Sequence, residues 1–301
     1  MNKPVFLFIS PHLDDAALSC GGGISGMVGA GQRVVVATVF TADAPMRQPL
    51  SWLAQRNHRA WDLPEQPFAA RCIEDLKAIR KLGAEPLHLG FLDVIYRVGP
   101  GGVPLYQKTV VGIPVHDYDW KLHLPGLQAK FRSLAEQFSG NPLYVLSPLA
   151  LGGHVDHILV RRAVESVWPQ EQILYYEDFP YAGRSGVMQN WLETEGAEES
   201  WHPVEVALNE KQIATRVASV ACYTSQLRGL FPSALERILE IARTRLPFLA
   251  AVKFPVNLEA STRLMEAYLR RYIDLVDGER YWLRGQAKDR TDLMPHLSSL
   301  V

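Results

Sequence analysis

The sequence predicts an α/β fold: an open, mostly parallel sheet with helices on both faces, followed by a helical C-terminal extension. Three observations predict it. Short, continuously apolar runs recur up to about residue 177, segments with helical apolar spacing lie between them, and glycines stand near several helix ends. A run apolar at every position suits a strand buried on both faces of a parallel sheet. Strands that alternate with helices need the crossovers that parallel pairing imposes.

The elements follow in order. VFLFI at 5–9 is the first buried strand, and Pro11 ends it. A small-residue helix is expected over 16–30, stopping near Gly31, and RVVVATVFT at 33–41 is the second strand. Together these make a βαβ unit. FAARCIEDLKAIRKL at 68–82 has helical period, and Gly83 sits just past it, where a cap glycine belongs. A short strand over 86–90, a helix over 126–138 and the buried strand LYVLS at 143–147 come next. A glycine turn then leads to a helix from about 154 to 167, and QILYYE at 172–177 is a further strand. The alternation is Rossmann-like.

Two segments break it. Residues 93–120 are rich in glycine, proline and aromatics and lack helical period; a hairpin is expected around 105–113. Long irregular segments are often functional loops, and a packed surface excursion is the equal alternative. After about residue 209 the pattern turns helical, over 210–220, 232–245 and 259–275. It reads as an extension of the same domain, so residues 1–301 are expected to form a single α/β domain.

Composition narrows the function. The chain has 301 residues, 48% hydrophobic and 21% charged, with a formal net charge of -1. No basic excess points to nucleic acid or an anionic membrane as partner. Cys20, Cys72 and Cys222 form no CxxC pair and read as free, buried thiols of a reducing compartment. The first apolar run is too short for a signal peptide or a membrane span, so a cytoplasmic protein is expected. The sequence leaves a homo-oligomer open.

The chemistry concentrates at two strand ends. Ser10-Pro11-His12-Leu13-Asp14-Asp15 follows the first strand, and Gly152-Gly153-His154-Val155-Asp156-His157 follows the 143–147 strand. One aspartate there would suit a helix N-cap, and one histidine would suit the core. Two clusters at equivalent strand ends are different. If those strands are neighbours across a topological switch point, the clusters face each other over one crevice. They then supply imidazoles and carboxylates for a metal, an open position for water, and spare acid–base groups.

PHLDD and HVDH resemble the PHPDD and HPDH motifs of the PIG-L/LmbE family of zinc-dependent N-acetylglucosaminyl deacetylases. Arg71-Cys72-Ile73-Glu74 resembles that family's R-x-x-E segment, and LHLGFLD at 87–93 its L-G-F-x-D stretch. YYEDFPY at 175–181 and residues 211–226 are also similar. The likeness spans about 5–228, which sets a family-like core at 1–228 and an extension at 229–301. Leu13 and Val155 stand where proline is usual; neither position is a ligand, and their loss removes a φ restraint.

The resemblance implies an N-deacetylase acting on a small-molecule N-acetylated sugar conjugate. It implies His12, Asp15 and His157 as ligands of Zn²⁺, a set that two imzidazoles and one carboxylate suit. Fe²⁺ suits it too and is kept as the alternative ion. Asp14 is then the general base for a water acidified by the metal. His154 steadies the oxyanion and protonates the amine, and Asp156 orients His154. Arg71 binds a substrate hydroxyl or anion, unless it only pairs with Glu74 on the helix surface. Two rival classes share the ligands: another metal hydrolase, such as a phosphoesterase, and a non-catalytic carbohydrate-binding protein. The intact Asp14 and His154 speak against the second. A phosphate-loop reading of Gly21-Gly22-Gly23 fails, because these glycines fall inside the first helix and match neither nucleotide motif. Close helix packing accounts for them better. No serine has a nucleophile-elbow context.

Overall fold

The computed structural model describes residues 3–45, 50–63, 67–194, 201–232 and 258–285. Seven strands within them make one sheet. β1 (Val5–Ser10) is flanked by β2 (Arg33–Ala42) and β4 (Leu143–Pro148). β3 (Glu85–Leu92) lies beyond β2, and β5 (Ile173–Tyr176) beyond β4. These five strands are parallel, as the apolar runs predict. β7 (Glu279–Arg284) then pairs antiparallel to β5, and β6 (Trp201–Val206) antiparallel to β7.

From β1 the chain steps outward to β2, and from β4 it steps outward the other way to β5. Right-handed crossovers therefore put their helices on opposite faces. These are α1 (Asp15–Gly29) and α5 (Val155–Val167). α7 (Glu210–Val220) packs on α1, and α4 (Leu124–Gln137) packs on α5. Covered on both sides, every residue of β1 is buried. The strand order reverses between β1 and β4, so a crevice opens beyond their carboxyl ends.

Several elements differ from expectation. α2 (Trp52–Trp61), α6 (Val187–Thr194), β6 and β7 are additional. α3 (Pro67–Lys81) and α9 (Leu258–Val276) fall where helices are expected, and α8 (Thr224–Leu230) is a short extra turn. The helix expected at 232–245 lies outside the described residues. The hairpin around 105–113 does not form. Val98 bridges to Pro104 instead, and Val111 to His154. The Gly112 N–H donates to the Gly153 carbonyl and the Val155 N–H to the Val110 carbonyl, each at 3.0 Å. The backbone of 110–112 thus pairs with the turn after β4 rather than with its own neighbours.

The C-terminal residues are woven into the sheet. Glu177, just past β5, accepts from Arg280 Nε at 2.7 Å, from Trp282 Nε1 at 2.8 Å, and from the Tyr272 hydroxyl. The glycines of α1 serve the same closure. A Cβ on Gly21 would lie 2.8 Å from Arg216, and one on Gly23 would lie 2.5 Å from the Tyr281 hydroxyl and 2.8 Å from Glu279. We expect Gly23→Ala to cost about 1–3 kcal/mol although alanine is the better helix former. Urea unfolding would read the loss, and an unchanged midpoint would refute it. Among the described residues no helix is long and apolar enough to cross a membrane, and all three cysteines are free.

Candidate metal centre

The turn after β1 is closed by its own side chains. Ser10 Oγ donates to the His12 carbonyl at 2.8 Å and accepts the Ala16 N–H at 3.1 Å. The His12 N–H donates to Asp15 Oδ2 at 2.7 Å. Asp14 occupies the cap position of α1, yet its side chain makes no capping bond. After β4 the chain turns through positive φ at Ala150, Gly152 and Gly153. Gly152 is required: a Cβ there would lie 2.5 Å from the Tyr181 ring. The turn delivers His154 as the cap of α5, with His157 one turn further along.

Three side-chain atoms then converge. His12 Nδ1 lies 3.2 Å from Asp15 Oδ2, His157 Nε2 lies 3.3 Å from Asp15 Oδ2, and the two imidazole nitrogens are 3.3 Å apart. Donors about 2.0–2.1 Å from a tetrahedral Zn²⁺ are separated by about 3.3–3.4 Å. The triangle therefore matches one face of such a site. The far side of each imidazole is anchored. His12 Nε2 is 3.1 Å from Asp156 Oδ2, and His157 Nδ1 is 2.5 Å from Asp178 Oδ1. A carboxylate on one nitrogen places the hydrogen there and leaves the lone pair of the other for a metal.

The charges call for a cation. Burial alone would lower both imidazoles, but the carboxylates prevail: Asp15 and Asp156 raise His12, and Asp15 and Asp178 lift His157 to about 9. Burial alone would raise Asp15, yet His157 and His12 hold it well below the usual carboxylate range. A divalent ion would take the place of the two imidazole protons, leaving both ring nitrogens and Asp15 to face it as acceptors. A ring nitrogen of His154 also lies within 4.8 Å of those of His12 and His157.

The remaining expected residues surround this point. Asp14 is 7% exposed, and its carboxylate has no hydrogen-bond partner among the described residues. Burial, reinforced by Asp15, pushes its carboxyl up to about 7, where a general base works near neutrality. Burial, then His12 and His157, lower His154, which is therefore neutral. Its Nδ1 accepts the Asp156 N–H at 3.2 Å, so Nε2 carries the hydrogen.

The side chain of Asp156 does not serve His154, as the resemblance implies. It is fully buried behind His12, where its Oδ2 also accepts the Val94 N–H at 3.2 Å. Burial alone would raise it, but Arg97 and His12 hold it below the usual range. Arg71 is no surface partner of Glu74, which instead binds Thr224 and Ser225. Arg71 is 3% exposed, its guanidinium 4.4 Å from the Trp61 ring centre and 5.0 Å from that of Phe68, and its Nε lacks a partner. Its charge bears on Asp14 and Asp93.

Sequence reasoning gave Asp178 and Arg97 no place in the site, and it weighed Asp93, with Asp43 and the aromatics near Tyr96 and Tyr118, as a pocket-lining residue but favoured a structural role. Asp93 Oδ2 lies 3.7 Å from His12 Nε2. Asp178 had a legible signal, a carboxylate just beyond the end of a buried strand. Arg97 had none, being inside the irregular segment.

A family model described as PIG-L, GlcNAc-PI de-N-acetylase, matches residues 7–168. The 2'-N-acetylparomamine deacetylase of Niallia circulans is 31% identical over 248 residues, covering 76% of this chain and 83% of that protein. Among solved structures, a zinc-inhibited form of teicoplanin deacetylase aligns with a TM-score of 0.67 at 28% identity, over 95% of this chain and 99% of the other. An A40926 pseudoaglycone deacetylase aligns with a TM-score of 0.59 at 25% identity, over 93% and 96%.

Proposed function

The chain belongs to the PIG-L family, and on that premise we propose that it is a Zn²⁺-dependent N-deacetylase hydrolysing the acetamide of an N-acetylglucosamine-type sugar conjugate. One observation carries the reading: the triangle of His12 Nδ1, Asp15 Oδ2 and His157 Nε2, with the unpaired carboxylate of Asp14 next to Asp15. The relatives, named as deacetylases of 2'-N-acetylparomamine, teicoplanin and the A40926 pseudoaglycone, support an N-acetylated small molecule as substrate.

His12, Asp15 and His157 would hold the ion, which when bound would supply a Lewis acid for the acetyl carbonyl and acidify the attacking water to about pKa 7. Asp14 takes the proton of the attacking water. The Nε2–H of His154 donates to the carbonyl oxygen as charge builds there. A neutral imidazole is a donor before it is an acid, so the proton for the departing amine comes from Asp14, which has just gained one. Arg71, beside Trp61 and Phe68, is placed to bind a sugar hydroxyl or an anionic group.

The test is acetate release from a panel of N-acetylglucosamine conjugates. Metal-stripped protein receives one equivalent of Zn²⁺ or, in parallel, Fe²⁺. One equivalent is used because a relative is described in a zinc-inhibited form. Release absent after stripping and restored by Zn²⁺ is expected. No release from any conjugate, despite stoichiometric bound metal, would overturn this substrate class. Restoration by Fe²⁺ alone would overturn the choice of ion.

A further inference from the structure

We propose that Arg97 is a positioning residue for the metal ligand His12, acting through Asp156, and that the irregular segment after β3 holds it in place. The inference rests on the metal-centre reading above and extends it beyond the residues that reading uses.

Arg97 is held by two hydrogen bonds and one close ion-pair contact. Its side chain is fully buried, and Nε donates to the Leu92 carbonyl at 3.1 Å. Nη1 donates to Asp119 Oδ2 at 3.3 Å, and Nη2 lies 2.6 Å from Asp156 Oδ1. The flat face of the guanidinium covers the Phe40 ring at 4.7 Å, and the same ring packs 5.8 Å from that of His12. Asp119, also fully buried, accepts the Tyr106 hydroxyl at 2.5 Å, and that hydroxyl accepts the His116 N–H at 2.9 Å. An unbroken chain of buried polar contacts thus runs from Tyr106 through Asp119, Arg97 and Asp156 to His12 Nε2.

Asp156 needs this partner. Its Oδ2 is taken by His12 and by the Val94 N–H, and both are single hydrogen bonds about which a carboxylate can swivel. Arg97 faces the other oxygen as an ion pair, Nη2 lying 2.6 Å from Oδ1, and the attraction on that side restrains the carboxylate from swivelling. It also supplies a full positive charge to a carboxylate removed from water. A fixed carboxylate fixes the turn of the His12 ring, and with it the direction of the Nδ1 lone pair. Ligand partners of this kind commonly change metal affinity by about 10–100-fold when removed. The irregular segment therefore supports the ligands from behind, since it contributes Arg97, Tyr106, His116 and Asp119.

The experiment measures the Zn²⁺ dissociation constant of the full chain by competition with a chromophoric chelator, with circular dichroism confirming the fold. Arg97→Met should weaken Zn²⁺ by about 10–100-fold. Asp119→Asn, which loosens Arg97 without touching Asp156, should weaken it less. In an Asp156→Asn background, Arg97→Met should add less than about twofold, because its route to His12 is already cut. A variant that melts earlier but keeps the wild-type dissociation constant would overturn the proposal, as would full additivity with Asp156→Asn. If Arg97→Met does not fold, Asp119→Asn decides by the same two comparisons. Wild-type protein that binds no Zn²⁺ would instead overturn the metal-centre reading itself.

Discussion

Asp14→Asn is expected to lower kcat by about 10²–10⁴-fold while stoichiometric metal stays bound. The structure separates this residue from its neighbours. Asp15 belongs to the proposed ligand triangle and accepts the His12 N–H, so its loss would disturb both metal and turn. Asp14 has neither duty. It stands at the cap position of α1 without capping it, and its carboxylate lacks a hydrogen-bond partner among the described residues. Asparagine has the same shape but cannot take a proton. Stability should hold or rise, since no buried hydrogen bond is removed and a carboxyl raised by burial costs stability when it ionises. Three readouts therefore part company: turnover collapses, metal content holds and the melting midpoint does not fall. A fall in kcat of less than about tenfold would show that another group takes the proton. Loss of metal would place Asp14 among the ligands.

The part of the site that was readable from sequence is the part where neighbouring residues share one turn. PHLDD and HVDH each end a strand with strong apolar signal, and parallel pairing alone brings those two ends together. His12, Asp15 and His157 meet for that reason. What lay hidden is what depends on long-range packing. Asp178 becomes the anchor of His157 only because β5 lies beside β4. Asp156 looked like a partner for His154, two residues away, but helix geometry turns it inward to His12. Arg97 follows no periodic pattern, and only the folded segment shows where its guanidinium goes. The same holds for β7. ERYWLR is six residues long and is preceded by a long amphipathic helix, so the C-terminal stretch reads as helical. In the structure its strand lies between β5 and β6.

That strand gives the second large effect. Glu279→Ala should destabilise the fold by about 3–5 kcal/mol, because it strands a buried charge. Glu279 Oε1 accepts the Gly22 N–H and Oε2 the Gly23 N–H, each at 2.8 Å, and Oε2 also accepts the Tyr281 hydroxyl at 3.0 Å. Arg216 Nη1 lies 3.1 Å from Oε1, and Nη2 donates to the Leu18 carbonyl. An ion pair from α7 and β7 is thus lodged against the middle of α1, where only glycines leave room for it. Removing the carboxylate leaves Arg216 buried without its counter-charge and takes the external acceptor from two amides. Urea unfolding monitors the loss, and a cost below about 1 kcal/mol would show that water or a neighbour replaces the carboxylate. The double variant Glu279→Ala with Arg216→Met should recover part of the stability, because an apolar pair in a buried site is tolerated where a single charge is not. Since α1 begins with Asp15, any tilt it suffers reaches the metal triangle. Zn²⁺ affinity should therefore fall in Glu279→Ala and return in the double variant, which ties the C-terminal strand to the integrity of the metal site.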